Sequence, residues 1–502
     1  MLVLAIAAGL ALTWDVLLAS RLAQLRTTPR ILAALGGLGA LLAAPALLIA
    51  IAIPSELTGR SVAGVAWIWP LTVAIFAAES LYATVRRLAS PLVGVPVTLY
   101  NVLLLIVAVT RYLEEGGATP PSWALTLVAA YTTALGAASG PVALASPYAV
   151  LVPLAAPALP GRWRVSAAGR AVLALAAGLT VAGVLAWLPA AASAVRSYDR
   201  YASDPLQERP AGDFAVGVRL LPPIEAPPPP AALRNDLALV DTTGAELVSL
   251  VVDPSGAHAA ALDSIARVFD PLRRDSTLLV VTLGYPREAA RRRRASASAY
   301  EAERLADLQR IVRRLHPDYL LPADEPYGRG ARALGSLPVG TWIRYLTDAA
   351  RTVRAIDPHV KVGIAAAAFD SRDSALYAWA AAPGSPIDAV GFSLYPAFAG
   401  AVTLDARMRA ADRWMRRLAP PVKEQWVFAA GGYPAAHGEA AQALAIWGTL
   451  AWATSHSDIK GAIVAEAADY DDITGLRAAS GRLRPAAAAV TRATRQLREA
   501  AE

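Results

Sequence analysis

The chain contains no cysteine among its 502 residues. Disulfide bonds, thiolate nucleophiles and cysteine-ligated metal sites are therefore excluded. Histidine is also scarce, with five residues, and none of them follows the three-ligand spacing that a zinc site requires. No glycine-rich phosphate loop follows the first apolar run of the second half of the chain. We therefore predict no metal site and no cofactor.

Acidic residues are rare in the first part of the chain. Up to position 189 there are only five, among long runs of alanine, leucine and valine, facing ten arginines. The whole chain has a mean hydropathy of +0.41 and a net charge of +7, most of it from this apolar part. Such a charge bears on membrane topology rather than on nucleic acid. We predict a transmembrane bundle over 1–194, a linker over 195–213 and a water-soluble domain over 214–502.

The apolar part contains six stretches of about the length that a bilayer core requires. They cover roughly 2–19, 31–53, 64–84, 92–110, 121–140 and 171–190. The proline-interrupted stretch 141–160 is either a seventh span or a broken segment lying in the bundle or at the interface. Basic loops stay in the cytoplasm, and six crossings place the C-terminal domain outside, whereas seven place it inside. We favour six crossings, hence an integral protein of the bacterial cytoplasmic membrane with an extracytoplasmic domain and a retained first span.

Asp15, Glu79 and Asn101 fall within or near these spans. Carboxylates inside a membrane are candidates for functional sites by default, because burying them is costly. The alternative is that each is a packed, hydrogen-bonded residue or lies near the interface. Both interpretations stay open at this point.

The C-terminal part alternates strand-like runs with amphipathic helical patterns, which is typical of a (β/α)8 barrel over about 290 residues. The apolar runs cover 214–221, 246–253, 276–283, 318–325, 360–370, 387–395, 424–433 and 459–467. A doubly wound sheet is the alternative. The fold class is therefore an all-α transmembrane bundle followed by an α/β TIM barrel.

Polar residues at the C-terminal ends of barrel strands are the candidates for function, since catalytic groups in this fold lie there. The candidate site residues are Asp253, Tyr285, Asp324, Glu325, Asp370, Tyr395, Tyr433, His437 and Glu466.

Several short motifs at these strand ends resemble those of the TIM-barrel glycoside hydrolases. The run Asp324-Glu325-Pro326 resembles the Asn-Glu-Pro that carries the acid/base glutamate after strand four in that clan. GFSLYP at 391–396 is similar to the ending of strand six, and GGYP at 431–434 to the end of a strand-seven Glu-x-Gly-Tyr-Pro. This alignment places Ala430 where the clan has its nucleophilic glutamate. The resemblance implies a site for carbohydrate polymer or lipid-linked saccharide.

An alanine cannot act as a nucleophile, so the usual mechanism with two glutamates is in doubt. Three alternatives remain. In the first, another acid (Asp253, Asp370, Glu466 or Asp469) is the base of an inverting hydrolase. Alternatively, the adjacent Asp324-Glu325 resembles the pair of β-hexosaminidases, with Glu325 as general acid and Asp324 orienting a substrate acetamido group. The third alternative is an inactive barrel that binds glycan within a polysaccharide synthesis or export machinery.

The loop after the third strand carries five arginines and one glutamate between Tyr285 and Tyr300. Such a run holds an anionic glycan or lipid headgroups, or is simply a solvated face. No aromatic stacking platform accompanies it, so we exclude nucleic acid as a partner. We predict a membrane-anchored, extracytoplasmic protein that cleaves or binds cell-envelope or exported polysaccharide, with the lipid bilayer as its other partner.

Overall fold

A computed structural model gives the architecture of the chain. It describes residues 2–24, 29–52, 63–115, 120–139, 151–159, 165–203, 205–210, 212–220, 230–253, 259–274, 277–286, 288–396, 401–418, 421–434, 439–469, 474–478 and 480–499. The chain divides into two compact units. One contains Met1–Ser197 with two short later segments, and the other contains most of the chain from Tyr198 onward.

The N-terminal unit is built from long apolar helices. They are α1 (Leu2–Gln24), α2 (Arg30–Ala52), α3 (Ile68–Val85), α4 (Pro91–Glu115), α5 (Ser122–Ser139) and α6 (Ala167–Ser203). Among the described residues, five helices are long and apolar enough to cross a membrane, and within α5 the apolar part is the shorter Ser122–Leu135. Helix α6 continues through Ser203, so 195–203, predicted as linker, is helical. The six helices overlap in sequence with the six predicted spans, and the number of them that cross a membrane stays a prediction.

Residues 151–159 form an extended, mostly buried segment of this unit, the described part of the stretch 141–160. Polar side chains of the surrounding helices bind its backbone. Asp15 accepts a hydrogen bond from the backbone N–H of Ala155 at 2.8 Å, and Glu79 accepts one from that of Ala156 at 2.9 Å. Both carboxylates therefore accept hydrogen bonds from backbone N–H groups of a non-helical segment, which a membrane interior would otherwise leave without water as a partner.

Asn101 binds the same segment from α4. Its amide donates to the carbonyl of Leu154 at 2.8 Å and accepts from the N–H of Leu154 at 3.0 Å, as a neighbouring β-strand would. It also donates to Ser80 at 3.1 Å and is fully buried. Asp15, Glu79 and Asn101 are therefore packed, hydrogen-bonded residues in this structure, as the second of the two interpretations expected.

The C-terminal unit contains a closed barrel of eight parallel strands in sequential order. The strands are β1 (Ala215–Leu220), β2 (Leu247–Val252), β3 (Leu278–Leu283), β4 (Tyr319–Leu321), β5 (Lys361–Ala366), β6 (Ala389–Leu394), β7 (Glu424–Ala430) and β8 (Ile459–Val464). β1 pairs with β8, which closes the ring. All eight lie inside the predicted runs, so the (β/α)8 prediction is confirmed and the doubly wound alternative is wrong.

Helices follow the strands on the outside of the ring. They are α7 (Pro230–Thr243), α8 (Ala259–Arg274), α9 (Ala289–Ala295), α10 (Ala297–Leu315), α11 (Arg329–Leu334), α12 (Val339–Arg354), α13 (Ser371–Ala381), α14 (Ala401–Arg417), α15 (Glu439–Thr454) and α16 (Pro485–Glu499). A large outer cluster of apolar side chains lies between strands and helices, and a smaller inner cluster fills the barrel. In the inner cluster Tyr319 contacts Trp426 edge to face, with ring centroids 4.9 Å apart. The barrel is thus a packed core whose chemistry lies at its ends.

Candidate functional site

Asp324 and Glu325 lie in the tight turn that follows β4. Both are buried, with 3% and 7% of their surface exposed. The backbone of Glu325 is in the left-handed region, at φ 46°, and its carbonyl accepts hydrogen bonds from the N–H groups of Gly328 and Gly330. A side chain at position 328 would collide with the Glu325 carboxylate, because an added Cβ would lie 2.5 Å from Oε2. The turn therefore fixes the direction of the Glu325 side chain.

A buried arginine on α10 holds the ends of two strands together. Arg304 donates hydrogen bonds to the carbonyls of Gly284 and Leu283, after and within β3, and of Pro322, after β4. Its guanidinium also contacts the Tyr345 hydroxyl at 3.1 Å. Arg304 thus positions the segment that carries the two adjacent carboxylates.

A third carboxylate, Glu466, reaches the same place from the end of β8. Arg329, at the start of α11, lies 3.7 Å from Asp324 Oδ2 through Nε and 3.5 Å from Glu466 Oε1 through Nη2. Glu466 also accepts a hydrogen bond from Thr474 at 3.2 Å. The Arg329 guanidinium therefore lies between two carboxylates that are distant in sequence, one after β4 and one after β8. The side chain of Glu466 accordingly faces the mouth of the barrel rather than the barrel wall.

The two adjacent carboxylates have pKa values shifted in opposite directions. Burial raises the pKa of Asp324, and Arg329 only partly offsets this. Burial also acts on Glu325, but Arg329, a hydrogen bond from Ser393 and Arg332 outweigh it and lower its pKa. Near neutral pH the ligand-free site therefore has an ionised Glu325, and Asp324 is the member of the pair that holds a proton more readily.

Two tyrosines border the carboxylates. Tyr395 follows β6, and its ring centroid lies 5.8 Å from that of Tyr433, which follows β7. Burial raises the pKa of Tyr395, so its hydroxyl keeps its proton. A Cβ at Gly431 would lie 2.6 Å from the Tyr395 ring and 2.9 Å from the carbonyl of Ala465. Glycine at this position therefore lets the Tyr395 ring lie against the turn.

The end of β7 supplies no carboxylate, since 429–434 reads Ala-Ala-Gly-Gly-Tyr-Pro. Ala430 is fully buried and belongs to the outer cluster with Val464, while Phe428 belongs to the inner cluster. The side chain of Ala430 therefore packs away from the carboxylates. Whether Ala430 replaces a nucleophile remains a prediction.

The remaining candidate residues lie around this centre in different roles. Asp253 is buried at the end of β2, and Tyr285 contacts the Arg304 guanidinium, with the ring centroid 4.8 Å away. Asp370 is the N-cap of α13 and accepts hydrogen bonds from two N–H groups there. One carboxylate oxygen of Asp370 therefore accepts the hydrogen bonds that cap the N-terminus of α13. His437 lies outside the described residues.

Sequence reasoning missed the arginines that surround the carboxylates. Arg219 lies on the inner face of β1, and Arg329 and Arg332 lie on α11. Arg219 could have been found, because it stands two residues after Gly217 in an otherwise apolar strand. Arg329 and Arg332 lie on α11, in the connection after β4, where no strand pattern in the sequence indicates which side chains face the mouth.

The arginine run after β3 forms the short helix α9 and is partly neutralised. Arg291 forms an ion pair with Glu288, and Arg292 lies 3.2 Å from Glu303 on α10. These contacts are exposed and contribute little to stability. They favour the interpretation of this run as a solvated face.

Comparisons with known proteins find similarity only among solved structures. No family model matches the chain, and no curated protein matches it. Among solved structures, GH5_18 from Streptomyces cattleya in complex with Manβ1-4GlcNAc is 14% identical, with a TM-score of 0.46, covering 57% of this chain and 81% of that one. A β-glucosidase is 16% identical, with a TM-score of 0.41 and coverage of 53% and 88%. A β-glucuronidase from Ruminococcus gnavus in complex with D-glucuronic acid is 11% identical, with a TM-score of 0.41, covering 56% of this chain and 49% of that one. At these identities the similarity concerns the fold, and no residue role is transferred.

Proposed function

We propose that the barrel mouth binds a carbohydrate chain and that the apolar helices anchor this barrel to a membrane. The observation that carries the proposal is the convergence of three carboxylates with two tyrosines at the C-terminal end of the barrel. Asp324, Glu325 and Glu466 supply acceptors for sugar hydroxyls, while Tyr395 and Tyr433 supply apolar ring faces with polar tips.

Binding is the function that this geometry supports best. A retaining hydrolase needs two carboxyl groups about 5–5.5 Å apart, one of them a nucleophile, and the end of β7 has none. A general acid must hold a proton before it reacts. Glu325 is surrounded by guanidinium groups that lower its pKa, which opposes the role of proton donor in substrate-assisted hydrolysis. The ionised carboxylate is instead suited to accept hydrogen bonds from the ligand.

Inverting hydrolysis is the second candidate, and one observation favours it. Because Arg329 lies 3.7 Å from Asp324 and 3.5 Å from Glu466, the oxygens of these two carboxylates are less than about 10 Å apart, a bound that allows the roughly 6.5–9.5 Å between the acid and the base of an inverting hydrolase. Asp324, with its raised pKa, would be the acid and Glu466 the base. In this mechanism Glu325 holds the sugar rather than donating the proton.

The location of the ligand follows from the proposed topology. Five long apolar helices support association with a membrane. With the arginine-rich loops in the cytoplasm and the shorter helix α5 counted as the sixth crossing, the barrel lies on the extracytoplasmic side. We therefore propose a cell-envelope or exported polysaccharide, or a lipid-linked saccharide, as the ligand class. A reporter fused after position 502 tests this topology, and a cytoplasmic signal would contradict it.

The full-length protein in lipid nanodiscs, titrated with a glycan panel, tests the binding proposal. We expect at least one glycan to bind, with affinity reduced more than tenfold in Glu325→Gln and in Glu466→Gln. Glu303→Gln, on the exposed face of α10, is the matched control and should bind normally. Release of reducing ends that is lost in Asp324→Asn and Glu466→Gln would establish hydrolysis, and an inverted anomeric configuration of the first product, followed by NMR, would establish the inverting mechanism. Binding that no mouth variant affects would overturn both candidates.

A further inference from the structure

Arg219 is a buried cation that points into the barrel. It lies on the same face of β1 as Gly217, where an added Cβ would meet Leu247 of the inner cluster. Only 3% of its surface is exposed. Its Nη2 donates to the carbonyl of Phe428 at 3.2 Å, whereas Nε and Nη1 have no hydrogen-bond partner in the described part of the chain. These two nitrogens carry three of the five N–H groups of the guanidinium.

The neighbouring strands extend this polar strip. Ser249 of β2 is in register with Arg219, and its buried hydroxyl has no partner among the described residues. The buried hydroxyls of Thr282 on β3 and of Tyr285, which follows β3, likewise have no hydrogen-bond partner among the described residues. Buried polar groups in native proteins are nearly always hydrogen-bonded. A strip of such groups at the end of a barrel therefore indicates where a ligand supplies the partners.

The charges around the carboxylates favour an anion. Four guanidinium groups, those of Arg219, Arg329, Arg332 and Arg407, interact electrostatically with Glu325. Asp324, Glu325 and Glu466 neutralise part of this charge, and the raised pKa of Asp324 reduces its share. Nε and Nη1 of Arg219 nevertheless donate to no acceptor in the described part of the chain. Burying a guanidinium without full compensation is costly, and a ligand oxyanion would compensate it with charge-assisted hydrogen bonds.

We propose that the sugar held at the mouth carries a negatively charged group, and that Arg219 binds this group. A uronate carboxylate or a sulfate ester has the required chemistry, since both present oxygens to guanidinium N–H groups. The proposal rests on the proposed function and narrows it from carbohydrate to acidic carbohydrate. Arg219 is thereby a specificity-determining residue.

The test compares glycans that differ only in charge. Full-length protein in nanodiscs is titrated with uronate oligosaccharides, each paired with its carboxyl-reduced derivative, and with sulfated oligosaccharides, each paired with its desulfated form. We expect at least one charged member to bind more than tenfold tighter than its neutral partner. Arg219→Gln should reduce this ratio to less than threefold. Arg351→Gln changes an arginine of α12 whose side chain is 73% exposed and should leave the ratio unchanged.

The outcomes separate this proposal from the proposed function. If neutral and charged members bind equally, or if Arg219→Gln keeps the tenfold ratio, the acidic ligand is ruled out while carbohydrate binding stands. If no glycan binds, the proposed function itself fails. The uronate and sulfate pairs identify which oxyanion is bound. Should Arg219→Gln lose its cooperative thermal transition, Arg219→Lys replaces it, and retention of the preference with this shorter cation supports the role of charge.

Discussion

Replacing Arg304 with glutamine should destabilise the strand ends at the mouth of the barrel, while the carboxylates and tyrosines proposed to bind the ligand remain unsubstituted. Arg304 donates to the carbonyls of Gly284 and Pro322 at 2.7 and 2.8 Å, and more weakly to that of Leu283. Glutamine is too short to reach all three, and each buried carbonyl left unpaired costs about 1–3 kcal/mol. Because removal also relieves the desolvation of the buried cation, we expect a net loss of about 3 kcal/mol.

Hydrogen exchange measured by mass spectrometry resolves this loss by segment. In Arg304→Gln, peptides covering 278–286 and 318–325 should exchange about a hundredfold faster, since 1.4 kcal/mol corresponds to a factor of ten. Arg344→Gln is the matched control, because Arg344 pairs with Glu301 on the surface and its loss should cost less than about 1 kcal/mol. Exchange within threefold of the wild type in these peptides would refute the proposed positioning role.

Three further predictions concern stability. Burial by itself lowers the pKa of His456, but hydrogen bonds to Asp412 and to a backbone carbonyl raise it above its usual value. The charged pair of His456 and Asp412 therefore stabilises the fold below about pH 6.5, and this contribution is lost as the pH rises through the raised pKa of His456. His456→Gln should cost about 1 kcal/mol of unfolding free energy at pH 5.5 and less at pH 8.5, measured by hydrogen exchange of 459–464. Ala430→Glu should destabilise the barrel by several kcal/mol without producing hydrolysis, because the outer cluster offers no partner for a charge. Asn101→Ala should lower the free energy of unfolding in detergent by about 2–4 kcal/mol, since both backbone groups of Leu154 lose their partner.

Clear outcomes would contradict each of these three. A cost for His456→Gln that is the same at both pH values would mean that the charge of His456 does not contribute to stability in this range. Hydrolysis gained by Ala430→Glu would show that this position faces the sugar and that the alignment with a nucleophile holds. Asn101→Ala should be compared with Thr126→Ala, whose exposed hydroxyl bonds only to its own helix. Equal stability of those two variants would exclude a role of Asn101 in holding the extended segment.

The architecture was predictable because hydrophobic periodicity reports which faces are buried. Runs such as 246–253 and 459–467 are mostly apolar, as is typical of strands covered on both sides, and every strand lies within its run. The continuation of α6 to Ser203 could not be predicted, because polar residues after a membrane span are compatible with either a helix or a linker. Nor could composition show that 151–159 is extended, because its backbone partners come from helices distant in sequence.

The site was predictable where its chemistry follows a strand directly. Asp324, Glu325 and Tyr395 were selected by this rule, and the structure brings them together. The same rule selected Asp370, whose side chain caps a helix, because a strand end and a helix start share the same short loop. Arg329 escaped it, since its position depends on how the α11 loop folds back over the mouth.

The most direct test of the account is to locate the bound carbohydrate on the full-length protein. Hydrogen exchange, compared with and without a saturating glycan, should show protection of 322–330, 393–396 and 464–469, the segments that carry the three carboxylates and Tyr395. The peptide covering 297–315 serves as an internal reference and should not change. Protection confined to 289–295 or to the N-terminal helices, with the three mouth segments unaffected, would contradict the claim that the barrel mouth binds the sugar.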